Sequence, residues 1–389
     1  MATHLIQNKA KLISQIREIY GGGFIPLHRP IFNGNEKNYL AECVDSNFVS
    51  SVGERVKIFE KQCAHYTGIE YGVSAVNGTA ALHMSLLVSG VSEGDEVITQ
   101  ALTFVATCNA ISYCGAKPVF IDVDIDTLGL SPKALLSWLS KNTELRDGCA
   151  YNSTTGARVA ACVPMHTFGN PLRVDEVVKI CKDYGIKVIE DAAESLGSFL
   201  DRKHTGSFGQ MAAISFNGNK IITTGGGGML LTNDGALAKR ALHLTTTAKL
   251  PHDYEFDHDE IGFNYRMPNI NAALGCAQME KLAPILESKR QVFEAYSSFF
   301  DNFGIHYVTG MKRAQPNYWL NAIITSSRNE RDHLLQILND NEIMARPLWR
   351  MMNKLNMFKS CQTDHLKNAH WLEDRVVNIP SSVPDGAIH

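Results

Sequence analysis

Short apolar runs alternate with amphipathic segments through residue 232 of the chain. The apolar runs have the length of buried strands and are bounded by glycine, proline or polar residues. These predicted strands are residues 71–76, 96–99, 118–123, 159–164, 187–190, 211–216 and 229–232. Predicted helices with apolar residues on one face are residues 35–44, 53–66, 105–113 and 173–184. The alternation of strand and helix predicts an α/β fold with a mostly parallel sheet covered by helices.

The alternation fades after Thr232, which indicates a second domain. A predicted helix at 236–244 is followed by a polar loop at 251–260 and a long helical region at 271–299, with a break near Pro284. The remainder mixes a strand at 323–325 with a helix at 331–339. Single cores stop growing at roughly 250–300 residues. We therefore predict a large domain over residues 1–250, which includes an N-terminal helix within residues 1–20, and a small C-terminal α/β domain over residues 251–389.

Composition and charge exclude several classes of protein. Apolar residues make up 44% and charged residues 20% of the chain, and the net charge is −3, so nucleic-acid binding is not expected. No apolar run reaches the roughly 18 residues of a membrane span, and the N-terminus lacks the apolar core of a signal peptide. Nine cysteines without a CxxC pair indicate reduced thiols and a cytoplasmic protein. The loop at 251–260 is rich in histidine and acidic residues, but a solvated loop is the better interpretation, so no metal is expected.

Several polar residues stand where predicted strands end, which is the edge at which parallel sheets bind ligands. Gly78 and Thr79 open a helix directly after a strand, a geometry that can hold a phosphate. Phe104 and Asp191 follow two other strands, and Lys220 lies in a glycine-rich stretch after a further one. Each has a simpler explanation as a capped helix, a core aromatic, a capping carboxylate or a surface lysine. Together they meet the needs of pyridoxal phosphate (PLP), which requires a phosphate site, a stacking ring, a carboxylate beside its ring nitrogen and an amine for a Schiff base.

Five motifs carry a resemblance to a known family. They are Asn77-Gly78-Thr79-Ala80-Ala81-Leu82, Thr103-Phe104-Val105-Ala106-Thr107, Glu190-Asp191-Ala192-Ala193-Glu194-Ser195-Leu196-Gly197, Ser215-Phe216 with Lys220, and Gly262-Phe263-Asn264-Tyr265-Arg266-Met267. With these motifs the chain, from about Ile25 to its C-terminus, resembles the sugar aminotransferases of the DegT/DnrJ/EryC1/StrS family. The resemblance implies a PLP-dependent transferase of fold type I, with a large domain around a mostly parallel sheet and a small C-terminal α/β domain.

The resemblance also implies roles for the matching residues around the cofactor's ring. Lys220 would be the catalytic lysine that forms the Schiff base, and Asp191 would bind the pyridine nitrogen. Phe104 would stack on the ring. Glu194 stands where the family often has glutamine or histidine beside the phenolic oxygen. A carboxylate there would repel a phenolate unless one of the two groups holds a proton.

The phosphate of the cofactor would be bound by a second set of residues. Gly78, Thr79 and Ser215 match phosphate ligands of the same subunit. Asn264 matches an asparagine that the family supplies from the neighbouring subunit. The resemblance therefore implies a homodimer whose two active sites both need residues from the partner.

Glu194 together with Asn217-Gly218-Asn219-Lys220 is most similar to the branch that acts on UDP-linked 4-keto-6-deoxy-N-acetylhexosamines. The implied reaction moves the amino group of L-glutamate to the C4 keto group of UDP-4-keto-6-deoxy-N-acetylglucosamine, for a bacterial surface glycan. GDP- and dTDP-linked keto sugars are alternatives. The segment 346–349, which includes Trp349, is a further candidate for the substrate pocket.

Three other functions remain as competing interpretations. A PLP sugar dehydratase of this fold would carry histidine in place of Lys220. A non-enzymatic regulator would not need both Asp191 and Lys220. A nicotinamide oxidoreductase is disfavoured because no strand is followed by GxGxxG. His166 also lies after a predicted strand, and we interpret it as a structural histidine.

Overall fold

The computed structural model describes residues 7–388, and its strands are short segments spread over most of this range. In chain order the strands are β1 (Tyr71–Ala75), β2 (Glu96–Gln100), β3 (Lys117–Ile121), β4 (Thr143–Arg146), β5 (Cys149–Asn152), β6 (Val159–Val163), β7 (Lys187–Asp191), β8 (Phe199–Leu200), β9 (Lys203–His204), β10 (Met211–Ser215), β11 (Gly228–Thr232), β12 (Ala314–Gln315), β13 (Asn321–Ile324), β14 (Arg346–Pro347) and β15 (Val376–Ile379).

Helices precede, separate and follow these strands. In chain order they are α1 (Lys9–Tyr20), α2 (Glu36–Asp45), α3 (Glu54–Thr67), α4 (Gly78–Val88), α5 (Val105–Tyr113), α6 (Pro132–Asn142), α7 (Val174–Asp183), α8 (Gly235–Thr245), α9 (Asn269–Glu280), α10 (Leu282–Phe303), α11 (Arg328–Asp340) and α12 (Lys367–Glu373). Short 3-10 turns occur at Thr167–Gly169, Met352–Lys354 and Asn356–Phe358.

Seven strands form one large sheet in the order β1-β11-β10-β7-β6-β2-β3. β2 pairs in parallel with β3 and β6, β6 pairs in parallel with β7, and β7 pairs in parallel with β10. β11 runs antiparallel to both of its neighbours, β1 and β10. The predicted α/β fold with a mostly parallel sheet is therefore confirmed.

The large sheet is covered on both faces because successive residues of its strands enter two different cores. Val97 and Ile189 lie in a cluster with apolar residues of α4 and α5. Ile98 and Val188 lie in a second cluster with residues of α6 and α7. Burial on both faces explains why these strands are continuous apolar runs rather than alternating patterns.

The C-terminal part contains a smaller sheet of three antiparallel strands in the order β13-β15-β14. The long helical region predicted over 271–299 consists of two helices, α9 and α10, which meet at Lys281. Pro284 lies in the first turn of α10, where its missing N–H removes no helical hydrogen bond. The break therefore comes before the proline rather than at it.

Helix α1 packs against C-terminal elements. Its buried residues Leu12 and Ile16 belong to the same cluster as Val292 and Tyr296 of α10 and Val377 of β15. The domain boundary near residue 250 stays a prediction, but this packing groups the N-terminal helix with the C-terminal segment rather than with the large domain. The first six residues of the predicted N-terminal helix lie outside the described residues.

Two further observations concern membrane spans and thiols. Within residues 7–388, no helix combines the length and the apolar character needed to cross a bilayer. All nine cysteines are free thiols, and most of them are buried.

Candidate active site

A cavity of about 320 Å³ opens where β1, β2, β6, β7 and β10 end. Seven of the eight residues predicted from the sequence line it, namely Gly78, Thr79, Phe104, Asp191, Glu194, Ser215 and Lys220. Trp319 and Trp349 from the C-terminal part complete its wall. The cavity thus lies between the carboxyl edge of the large sheet and the C-terminal segment.

The N-terminus of α4 opens into this cavity. Asn77 caps the helix, because its Oδ1 accepts a hydrogen bond from the backbone N–H of Ala80 at 2.8 Å. The N–H groups of Gly78 and Thr79 have no acceptor within the helix and suit an anion, which the helix dipole also favours. A Cβ on Gly78 would lie 2.8 Å from the Cβ of Ser215, so glycine is required for this close approach. The helix N-terminus and the Ser215 hydroxyl can therefore hold one phosphate together.

Asp191 is a buried carboxylate at the end of β7. Its Oδ2 accepts a hydrogen bond from the Thr107 hydroxyl at 2.6 Å, and its Oδ1 accepts one from the backbone N–H of Ala193 at 3.2 Å. Burial raises the pKa of Asp191, while these neutral donors and the more distant Lys220 amine oppose the rise. A cationic N–H against this carboxylate would offset the cost of burying its charge.

Lys220 lies on the loop between β10 and β11, with its amine in the cavity. The Nζ atom lies 3.1 Å from Oε1 of Glu194 and 4.0 Å from the centroid of the Trp319 ring. The indole N–H of Trp319 donates to the carbonyl oxygen of Asn219 at 2.7 Å. Only 14% of the Lys220 side chain is exposed, so the alternative of a solvated lysine in a turn is wrong.

Glu194 is held between Lys220 and the backbone of Phe168. Its Oε2 accepts a hydrogen bond from the Phe168 N–H at 2.9 Å. Phe168 has a φ of 58°, a left-handed conformation that costs a bulky residue roughly 1–2 kcal/mol. Burial raises the pKa of Glu194 to about 7, although the Lys220 amine opposes this rise. The Glu194 carboxyl therefore gains or loses its proton near neutral pH.

Aromatic side chains line another part of the cavity. The ring centroids of Phe104 and Trp349 lie 6.0 Å apart, and those of Phe168 and Trp349 lie 5.2 Å apart. Phe104 is 47% exposed, which leaves a face of its ring free to stack on a flat ligand. Trp349 lies in the segment 346–349 that the sequence suggested for the substrate pocket. Trp319 and Met165 also line the cavity but were not predicted, because no local motif marks them.

Asn264 is the predicted residue that does not line the cavity of its own chain. It is exposed and pairs with Thr246 through an isolated antiparallel bridge. Within one chain, Asn264 therefore lies outside the cavity that Gly78 and Ser215 line.

His166 has a structural role. Its Nε2 lies 3.0 Å from Oε2 of Glu190, and its Nδ1 accepts a hydrogen bond from the backbone N–H of Leu172 at 3.3 Å. Both ring nitrogens are thus engaged in the core, and the ring does not line the cavity.

Histidine and acidic side chains do meet near the loop at 251–260. Ligand atoms of His243, Asp259 and Glu260 lie within 4.8 Å of one another. Arg240 donates to both carboxylate oxygens of Glu260, and His243 lies 2.7 Å from an oxygen of Asp259. Each of these three side chains thus has a protein partner, and the interpretation of the loop as solvated stays a prediction.

The residues around the cavity fit PLP. The free N–H groups of α4 suit its phosphate, and the buried Asp191 carboxylate suits a protonated ring nitrogen. Phe104 offers a face to its ring, and the amine of Lys220 suits its aldehyde. Among the described residues that line the cavity, Lys220 alone supplies a primary amine.

Comparison with known proteins identifies the family. Residues 30–384 match the DegT/DnrJ/EryC1/StrS aminotransferase family. The chain is 35% identical over 360 residues to GDP-perosamine synthase of Escherichia coli O157:H7, which covers 92% of this chain and 93% of that protein. It is 38% identical over 335 residues to EpsN of Bacillus subtilis, assigned as a pyridoxal phosphate-dependent aminotransferase. The match covers 86% of this chain and 84% of EpsN. The crystal structure of the aminotransferase TlmJ from Streptoalloteichus hindustanus matches with a TM-score of 0.83 at 25% identity. The match covers 92% of this chain and 94% of TlmJ. The chain therefore belongs to the DegT/DnrJ/EryC1/StrS aminotransferase family and is a PLP-dependent aminotransferase.

Proposed function

We propose that the protein transfers the amino group of L-glutamate to the C4 keto group of a nucleotide-linked 4-keto-6-deoxy sugar. The observation that supports this most strongly is the buried Lys220–Glu194 pair, with Nζ and Oε1 3.1 Å apart, in one cavity with Asp191. The similarity to several proteins named GDP-perosamine synthase supports a nucleotide-sugar substrate. A sugar dehydratase is less well supported because Lys220 is present.

Each residue of the cavity has a different role in amino transfer. PLP, when bound, withdraws electrons from the substrate carbon that carries the amino group and so makes its proton acidic. Lys220 moves that proton, and its Nζ must be neutral to accept it. Glu194 Oε1 is close enough to take a proton from Nζ and return it later. Asp191 keeps the ring nitrogen protonated, and Trp319 shields the Lys220 amine from water.

We infer that the active site is shared between two subunits. Asp191, Glu194 and Lys220 are the charged residues among the described residues that line the cavity, so one chain supplies a single cation there. A bound phosphate and the carboxylates of glutamate would add several negative charges. Hydrogen-bond donors from a second copy, including the Asn264 amide, would stabilise these anionic oxygens.

Subunit mixing tests the shared site. We expect Lys220→Ala and Asn264→Ala homodimers to be nearly inactive, whereas a heterodimer of the two regains about half of the wild-type activity. The reason is that one of its two sites then contains both native residues. Differently tagged subunits are co-expressed, the heterodimer is isolated through both tags, and 2-oxoglutarate formation is measured.

The same mixing experiment has a clear negative outcome. If Asn264 acted within its own chain, each site of the heterodimer would carry one defect and activity would stay at the level of the homodimers. An active Asn264→Ala homodimer with unchanged PLP affinity would also contradict the proposal.

UDP, GDP and dTDP are the candidates for the nucleotide of the substrate. Glu194 with residues 217–220 favours the UDP-linked N-acetyl sugar, whereas the names of the curated relatives favour a GDP-linked sugar. Assays with UDP-, GDP- and dTDP-linked 4-keto-6-deoxy sugars and L-glutamate distinguish them. We expect one substrate to exceed the others by at least ~10-fold in kcat/KM, since one discriminating polar contact is worth that much. The configuration of the product then gives the stereochemistry at C4.

Replacement of the lysine tests the chemistry itself. We expect Lys220→Ala to lower kcat by about 1,000-fold or more, because it removes both the Schiff-base amine and the proton carrier. PLP should still bind to the variant non-covalently, which absorbance after dialysis measures. Lys239→Ala, at an exposed position of α8, is the control and should retain full activity. Turnover by Lys220→Ala near the wild-type rate would exclude the proposed role.

A further inference from the structure

Lys289 on α10 is a fully buried lysine outside the cavity, with 1% of its surface exposed. Lysine is almost never fully buried unless its ammonium group is paired. Its Nζ donates to the main-chain oxygen of Trp319 at 2.8 Å and to that of Ser381. These partners are neutral carbonyls, and burial lowers the pKa of Lys289. Burying an amine against neutral carbonyls costs stability.

Lys289 bonds Trp319, and the short segment that contains Trp319 contacts both members of the Lys220–Glu194 pair. Trp319 packs its ring on the Lys220 amine at 4.0 Å. Two positions earlier, the Asn317 side chain donates to the main-chain oxygen of Glu194 at 2.8 Å and accepts the Trp319 N–H at 2.9 Å. One short segment of the C-terminal part, residues 317–319, therefore contacts both Lys220 and Glu194.

The backbone of this segment is strained. Tyr318, between Asn317 and Trp319, has a φ of 52°. A tyrosine in the left-handed region keeps that conformation only when its surroundings enforce it. Lys289 supplies one such constraint from beneath, because it ties Trp319 to Ser381, whose N–H donates in turn to the carbonyl oxygen of Leu27 at 2.8 Å.

We propose that Lys289 is a positioning residue for the Lys220–Glu194 pair. It holds residues 317–319 in the strained conformation in which Trp319 covers the Lys220 amine and Asn317 fixes the backbone of Glu194. This inference rests on the proposed role of Lys220 in amino transfer.

Three variants test this role. Lys289→Met removes both hydrogen bonds, and Lys289→Gln retains an N–H donor on a side chain that is one bond shorter. Val292→Ala, one turn along α10 and also buried, opens a small cavity without a hydrogen bond to residues 317–319. It is the matched control for lost stability.

Hydrogen exchange on the chain without PLP gives a readout independent of catalysis. We expect amides of residues 314–320, which precede β13, to exchange at least ~10-fold faster in Lys289→Met, less so in Lys289→Gln, and at the wild-type rate in Val292→Ala. In the holoenzyme, kcat should fall by about 10- to 100-fold in Lys289→Met while the KM for the sugar changes by less than ~3-fold, because the defect misplaces reacting groups. Lys289→Gln should recover part of kcat.

Two results would overturn the inference. One is equal exchange at 314–320 and equal kcat in Lys289→Met and Val292→Ala. The other is wild-type exchange at 314–320 in Lys289→Met together with a lowered kcat, which would show that the loss of activity does not come from this segment. If Lys289→Met does not fold, Lys289→Gln is compared with Val292→Ala in the same way. An active Lys220→Ala variant would instead refute the proposed function and leave the exchange result standing.

Discussion

Glu194 and Lys220 form a buried pair that shares its cavity with a second carboxylate, Asp191. The two carboxyl groups differ in their surroundings. Asp191 accepts hydrogen bonds from two neutral donors, whereas Glu194 contacts an amine and a single backbone N–H. Asp191 is thus prepared to stabilise a fixed cation, and Glu194 is prepared to exchange a proton with a lysine that must change its charge during the reaction.

The titration of Glu194 should make the free energy of unfolding depend on pH. Burial raises its pKa from 4.5 to about 7, so the folded chain binds this proton more tightly than the unfolded chain. Glu194 therefore makes its full contribution to the free energy of unfolding below pH 4.5, and this contribution is lost as the pH rises through about 7. Glu194→Gln cannot ionise, so we expect the apo variant to lose less stability than the wild type between pH 5 and pH 8. The difference is at most about 3 kcal/mol and is measured by urea unfolding across that range.

An exposed carboxylate provides the control for this prediction. Glu144→Gln, on the exposed strand β4, should keep the wild-type pH dependence. Unfolding free energies of Glu194→Gln and wild type that run parallel from pH 5 to pH 8 would mean that Glu194 does not titrate there.

At the scale of elements, the sequence predicts the strands of the large sheet well, because burial on both faces leaves continuous apolar runs. It misses the hairpin of β4 and β5, since β4 is almost fully exposed and has no apolar run. It also misses α6, although Ser131 caps its first turn and Pro132 begins it. These capping residues were the signal that could have located the helix.

In the active site, too, the sequence reveals residues in local motifs and misses residues whose roles depend on long-range contacts. Gly78, Asp191 and Lys220 were found from the sequence because each belongs to a local motif at a strand end. Trp319 and Lys289 were not found from the sequence. Trp319 belongs to the C-terminal part of the chain and reaches the cavity at the edge of the large sheet, and Lys289 acts through Trp319. Contacts between positions so far apart in the chain leave no periodicity or spacing that a single sequence can reveal.

At the scale of the whole molecule, the cavity depends on how the C-terminal segment is held. Trp319 and Trp349 reach the cavity from that segment, and the small sheet of β13, β15 and β14 packs on the cluster that contains α1. The first and last parts of the chain therefore share one core, and the large sheet is built from the residues between them.

A pair of core substitutions tests this arrangement. Ile16 in α1 and Ile189 in β7 are both 0% exposed but belong to different clusters. Truncation to alanine should cost each variant about 2–5 kcal/mol. We expect Ile16→Ala to speed amide exchange in α10, β13 and β15 while β7 and β10 stay protected, and Ile189→Ala to do the reverse, because local openings follow the core that is weakened. Equal acceleration in both regions by Ile16→Ala would mean that the N-terminal helix stabilises the large domain as directly as the C-terminal one.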